Sequence, residues 1–118
     1  MYKLPKDIKL DFFIGKTLFS IDISVHSLIF RFDDGLTVTV MSSIGYVDST
    51  GKTNQSENFC EIIATLVKLL NQSVVSAEGD ESGTLKLEFD NGGKLEIYDD
   101  SKQFESYVIK NGEQIIVV

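Results

Sequence analysis

Tryptophan is absent from this chain of 118 residues, and proline, cysteine and histidine occur once each. A lone cysteine, Cys60, forms no internal disulfide and builds no metal site by itself, which excludes a disulfide-stapled scaffold and the thiolate zinc modules. A single proline beside 42% hydrophobic residues excludes a disordered linker or a collagen-like polymer. Basic side chains are also scarce, 11 against 18 acidic ones, for a formal charge of −7. That balance argues against a general nucleic-acid binder, which needs a cationic face, and against a protein held on anionic lipid. No apolar run approaches the roughly 20 residues that span a bilayer. The opening residues, Met1 to Gly15, alternate charged with apolar side chains and have no signal-peptide core. The expectation is one soluble, cytoplasmic domain over residues 1–118, without metal or cofactor and without a membrane or nucleic-acid partner.

What is present is alternation. Phe19, Ile21, Ile23 and Val25 share one face of a strand over Thr17 to Val25, and Leu28, Phe30 and Phe32 resume the period in the other phase. The phase change requires a turn or bulge near His26 and Ser27. Asp33-Asp34-Gly35 is a hairpin signal, since a tight primed turn wants positive φ at both central positions, and Leu36, Val38 and Val40 form the return strand. The period is lost from Met41, and Asp48 to Asn54 reads as a polar loop. Phe59, Ile62, Ile63, Leu66, Val67 and Leu70 then fall on one stripe of a helix over 57–70. Asn54 with Glu57, or Ser56, caps its start and Asn71 ends it. Strand signals return at Val74 to Ala77, Thr84 to Phe89, Lys94 to Tyr98, Phe104 to Lys110 and Gln114 to Val118. The uncharged end of the last segment is an aggregation hazard if unpaired.

A shift of 57 positions lays the first hairpin on the second. Leu28, Phe32, Asp33 and Gly35 meet the identical Leu85, Phe89, Asp90 and Gly92. Two related β-units, 17–40 and 73–97, joined by the helix are expected; convergence of two hairpins under the same period and turn is the alternative. Either way the fold class is α+β, a mostly antiparallel sandwich or half-barrel with one amphipathic helix packed on it.

Residues with reactive side chains form no coherent set. His26 reads as a strand-end or turn residue, because its neighbour Ser27 points to the opposite face of a strand. Cys60 reads as a small hydrophobe near the helix stripe. Acidic pairs lack the spacing of a calcium loop. Gly51-Lys52-Thr53 imitates the end of a phosphate-binding loop, but Tyr46 stands where the first glycine is required. No enzyme is expected.

Charge is distributed unevenly. Residues 1–32 carry five bases (Lys3, Lys6, Lys9, Lys16, Arg31) against three acids, whereas 33–118 carry six against fifteen. Eight acids and two lysines lie between Glu78 and Asp100. The bland reading of such turns is a solvated edge. The functional one is a negative surface that steers and selects a basic protein partner.

Gly83-Thr-Leu-Lys-Leu-Glu-Phe-Asp-Asn-Gly92, then Lys94-Leu-Glu-Ile97 and Phe104-Glu-Ser-Tyr107, resemble a family of small bacterial domains of unknown function with the pattern G-T-L-x-L-x-F-x-D-G … Y-E-S-W. Asn91, Phe104 and Tyr107 replace the pattern's Asp, Tyr and Trp. Gly15 to Leu18 and Leu69 to Val74 resemble its strand-opening segments. Because such domains are often encoded among toxin and immunity genes, the resemblance implies an immunity protein. The expected partner is a cognate toxin domain, a nuclease with a basic cleft, covered by Asp33, Asp34, Glu78, Asp80, Glu81, Asp90, Asp99 and Asp100. A free sheet edge accepting a toxin strand is a second contact mode. The alternative function is small-ligand binding or sensing in a pocket between helix and sheet.

Overall fold

The structure is a computed structural model and describes residues 4–5, 8–102 and 105–118. Its strands are β1 (Leu18–Ile23), β2 (Leu28–Phe32), β3 (Thr37–Val40), β4 (Ile44–Val47), β5 (Thr53–Ser56), β6 (Val74–Gly79), β7 (Leu85–Phe89), β8 (Lys94–Ile97), β9 (Tyr107–Asn111) and β10 (Gln114–Val117). One α-helix, α1 (Phe59–Leu66), runs into a 3₁₀ turn, Val67–Leu69. The fold is α+β, with two antiparallel five-stranded sheets in the orders β1-β2-β3-β9-β10 and β5-β4-β8-β7-β6. Their inner faces share one core. Phe13 meets Phe32 edge-on at 5.9 Å, and Phe32 stacks on Phe89 of the other sheet at 6.5 Å. The helix lies against β5 and β1, an edge strand from each sheet.

Alternation does the local work. Leu28, Phe30 and Phe32 point inward from β2, as Leu85, Leu87 and Phe89 do from β7. Asp34 (φ 62°) and Gly35 (φ 76°) both take the left-handed conformation that a primed turn demands. The first strand departs from simple alternation. A bulge between Leu18 and Ser20 turns Leu18 inward and leaves Phe19 61% exposed, so Phe19 does not share the buried face expected for it. Ile21 and Ile23 still pair with inward Phe30 and Leu28, although Ile23 and Val25 are exposed near the strand's end.

The two units are built alike to the level of single hydrogen bonds. Strand β6 carries the same bulge as β1, at Val75. Thr17 bridges Ser73, their hydroxyls 2.8 Å apart. Gly15 N–H donates to Val74 O and Asn71 N–H to Leu18 O, at 2.8 and 2.7 Å. Gly15 and Asn71 are both left-handed, at φ 82° and 68°. After its third strand each unit crosses to the opposite sheet: β4 pairs β8 with Ile44 opposite Ile97, and β9 pairs β3 with Tyr107 opposite Val40. Each sheet therefore contains three strands of one unit and a hairpin from the other.

Several expectations are corrected. The stretch read as unpatterned and then as a loop contains β4 and β5. In β4, Ile44, Gly45 and Tyr46 are all buried, and the Tyr98 hydroxyl would lie 2.6 Å from a Cβ at Gly45. Burial on both faces erases alternation. The neighbouring β5, Thr-Asn-Gln-Ser, is a polar edge with no apolar signal. The helix is shorter than 57–70 and is capped by Asn58, whose carboxamide accepts from Cys60 N–H at 3.0 Å; Ser56 accepts from Asn58 N–H instead. The tightening after Leu66 buries Leu69, while Leu70 packs only partly. Cys60 is exposed, one position off the buried stripe of Phe59, Ile62 and Leu66. The ninth strand starts at Tyr107; Phe104, the expected start, lies outside the described residues, as do Lys3 and Lys6.

Candidate functional site

The eight acids expected to form one contacting face are divided between the two ends of the strands. Asp33, Asp34 and Asp90 sit where β2 turns into β3 and β7 into β8. Glu78, Asp80, Glu81, Asp99 and Asp100 sit at the other end, where β6 turns into β7 and beyond the end of β8. A five-residue strand separates the groups by roughly 15 Å. One flat contact does not take both.

At the first end the carboxylates hold the fold. Asp33 accepts Thr17 N–H at 3.0 Å and Asp90 accepts Ser73 N–H at 3.1 Å, the same bond in each unit. Asp34 is 77% exposed and pairs with Lys16 at 3.2 Å. Little uncommitted negative charge remains there.

The second end is denser. Asp80 Oδ1 accepts Ser82 N–H (2.9 Å), the Ser82 hydroxyl (2.6 Å) and Thr84 N–H (3.0 Å). Lys86 lies 3.6 Å from its other oxygen. The Ser82 hydroxyl above all, with those amides and Lys86, holds the Asp80 carboxyl below the ordinary range. Asp100 accepts from Ser43 through both the amide, at 3.0 Å, and the hydroxyl. Asp99 accepts the Ser106 hydroxyl at 2.7 Å and packs so closely on Gly83 that a Cβ there would stand 2.7 Å from its Oδ2. The buried Tyr107 hydroxyl donates to the Gly83 carbonyl at 2.6 Å, and burial pushes its pKa up, with Asp99 and Asp80 adding to the rise. Gly83 thus ties the β6–β7 turn to the segment after β8. Glu78 and Glu81, on the same rim, are exposed and hold no hydrogen bond or ion pair among the described residues.

Between the ends, the outward face of the second sheet is neutralised in rows. Lys86 stands beside Glu96, and Glu88 beside Lys94. Glu96 also accepts the Tyr98 hydroxyl at 2.9 Å; burial first, then Glu96, pushes the Tyr98 pKa up to about 12. Free negative potential is left at the second end, at Glu78 and Glu81.

The sequence carried a further signal for that corner. Asp80-Glu-Ser82-Gly83-Thr84 has a twin in Asp48-Ser-Thr50-Gly51-Lys52, where Asp48 Oδ1 likewise accepts Thr50 N–H, the Thr50 hydroxyl and Lys52 N–H. The pattern D-x-[ST]-G-x marks both turns, with Gly51 and Gly83 at φ 90° and 87°. These bonds satisfy the turn carboxylates from within the chain. Among the described residues no group of three or more His, Cys, Asp or Glu is placed to hold one. His26 is exposed in the β1–β2 turn.

An open groove of about 420 Å³ lies between residues 8–11 and β6, lined by Ile8, Lys9, Leu10, Asp11, Ala77, Glu78 and Gly79. It is not between helix and sheet. No helix among the described residues is long and apolar enough to cross a membrane.

A family model described as a family of unknown function, DUF6188, matches residues 13–118, which takes in every strand, the helix and both acidic ends. No curated protein and no solved structure matches the chain.

Proposed function

The chain belongs to this family of unknown function, DUF6188, and we propose that it is a protein-binding immunity module that docks a cationic cleft of a toxin domain. The reading rests on one observation: Glu78, Asp80, Glu81, Asp99 and Asp100 converge on a single end, held by the contacts at Gly83. Asp33, Asp34 and Asp90 belong to the opposite end and take no part in that contact. A nuclease cleft built to accept phosphates presents cationic side chains, and a rigid acidic rim meets it by complementary potential. Such a module acts in the cytoplasm, where the nucleic acid is, by occupying the cleft without chemistry of its own.

The test is co-expression with the product of the neighbouring gene, asking whether the two co-purify, followed by association kinetics across a salt series. Glu78→Lys with Glu81→Lys leaves the core untouched and slows association at low salt by about tenfold or more, flattening its salt dependence. Unchanged rates reject the acidic end as the docking face. The groove beside β6 favours a second reading, a small ligand held by Lys9 and Glu78. Its sign is a rise in melting temperature with a metabolite in the absence of any protein partner.

A further inference from the structure

We infer that the chain forms a two-fold dimer by pairing β10 of one copy antiparallel to β10 of a second, joining two first sheets into one of ten strands. The inference goes beyond the proposed function and does not depend on it. Four strand edges border the two sheets, and three of them are blunted. Strand β1 has its bulge, the Asp22–Arg31 ion pair at 2.8 Å and the helix beside it. Strand β6 has its bulge, the acid Glu78, and Leu4 packed on Gly79. Strand β5 is wholly polar and lies against the helix. Among the described residues strand β10 has none of these devices. Gln-Ile-Ile-Val carries no charge, proline or bulge, and keeps continuous register with β9.

The backbone is set for pairing. Val118 N–H donates to Tyr107 O at 2.9 Å and Tyr107 N–H to Val118 O at 3.3 Å, so these two residues form a hydrogen-bonded pair. Alternation along an antiparallel ladder then turns the N–H and C=O of Ile115 and Val117 to the free side. Setting Ile115 opposite Val117 of the second copy, with Ile116 on the axis, uses all four groups on each edge. The same register brings outward side chains together. Ile115 is 59% and Val117 39% exposed, and Val117 stands beside Val108 of β9. Across the axis each copy's Ile115 meets the other's Val117, so six aliphatic side chains form one patch.

Self-complementarity makes a second copy the occupant, because in this register the free groups of Ile115 and Val117 are matched by the same groups of an identical edge. A two-fold contact sets a patch against itself. On a chain of net charge −7 the acidic ends repel their own copies, whereas an uncharged edge with outward apolar side chains does not.

Sedimentation equilibrium of the full chain over about a hundred-fold concentration range into high micromolar tests this. The average mass should climb from 13.2 kDa toward twice that value. Ile115→Lys should hold it at the monomer with melting unchanged. Val117→Pro, which removes an N–H facing the free side, should do the same. Amide exchange at Ile115 and Val117 should slow as concentration rises. A wild type that stays monomeric throughout, a dimer that survives both substitutions, or growth past two copies overturns the inference. Strand addition by a toxin segment with no self-association is the first of those outcomes.

Discussion

The corners after the first strand of each unit occupy equivalent places and differ in charge. In the first unit Ser24, Val25, His26 and Ser27 make a turn without acids, closed by Ser24 and Ser27, whose hydroxyls lie 2.8 Å apart. In the second, Asp80 closes the turn and Glu81 projects beside it. The comparison continues at the crossovers. Asp99 and Asp100 stand 57 positions after Ser42 and Ser43, and Asp100 binds Ser43, its own counterpart. At equivalent places hydroxyls close the four-residue turn 24–27 and a carboxylate closes the five-residue turn 80–84. Asp80, Asp99 and Asp100 therefore serve the scaffold as well as the surface, whereas Glu78 and Glu81 are exposed and spare to the scaffold.

Equivalence inside the core is most severely challenged by Phe32→Ala and Phe89→Ala. Each deletes one member of the stacked pair and should cost about 3–5 kcal/mol, read from urea unfolding. Equal losses in a single transition are expected, and two transitions would separate the units. The twin aspartate turns give a sharper contrast. Gly51→Ala meets open space and bears only its left-handed strain, about 1–3 kcal/mol, whereas Gly83→Ala adds a collision with Asp99 and should melt lower. Identical melting points would assign the whole loss to backbone strain. The smallest effect concerns acid. The Asp48 and Asp80 carboxyls are held low, Asp48 chiefly by the Thr50 hydroxyl. Their stabilisation is present above the unfolded value of about 3.9 and is lost as pH falls through the depressed folded values. Asp48→Asn with Asp80→Asn should therefore flatten the loss of stability below about pH 4, and an unaltered acid limb would place that sensitivity elsewhere.

What the sequence disclosed follows from the physics of each element. Strands with one wet and one dry face announce themselves, so β2, β3, β7 and β8 were legible, as was the primed turn at Asp34-Gly35. Strand β4 was hidden because glycine and a covering tyrosine bury its second face, and β5 because an edge strand of polar residues has no period to show. The helix was legible by its stripe, but its start depended on which of three polar residues caps it. The acids were visible as a group; their separation was not, because it depends on which strand end each turn occupies. That lies in the connectivity, and local pattern carries no trace of it.

The exchange of hairpins has a consequence for synthesis. Strand β3 has β2 on one side, but its other side waits for residues 107–110, some seventy positions later. Until that distant segment leaves the ribosome, the inner ladder of the first sheet stands bare. Closing so long a loop is slow relative to forming local hairpins. Chains stalled before β9 should be the ones that chaperones hold, and completion of the last hairpin the event that releases them.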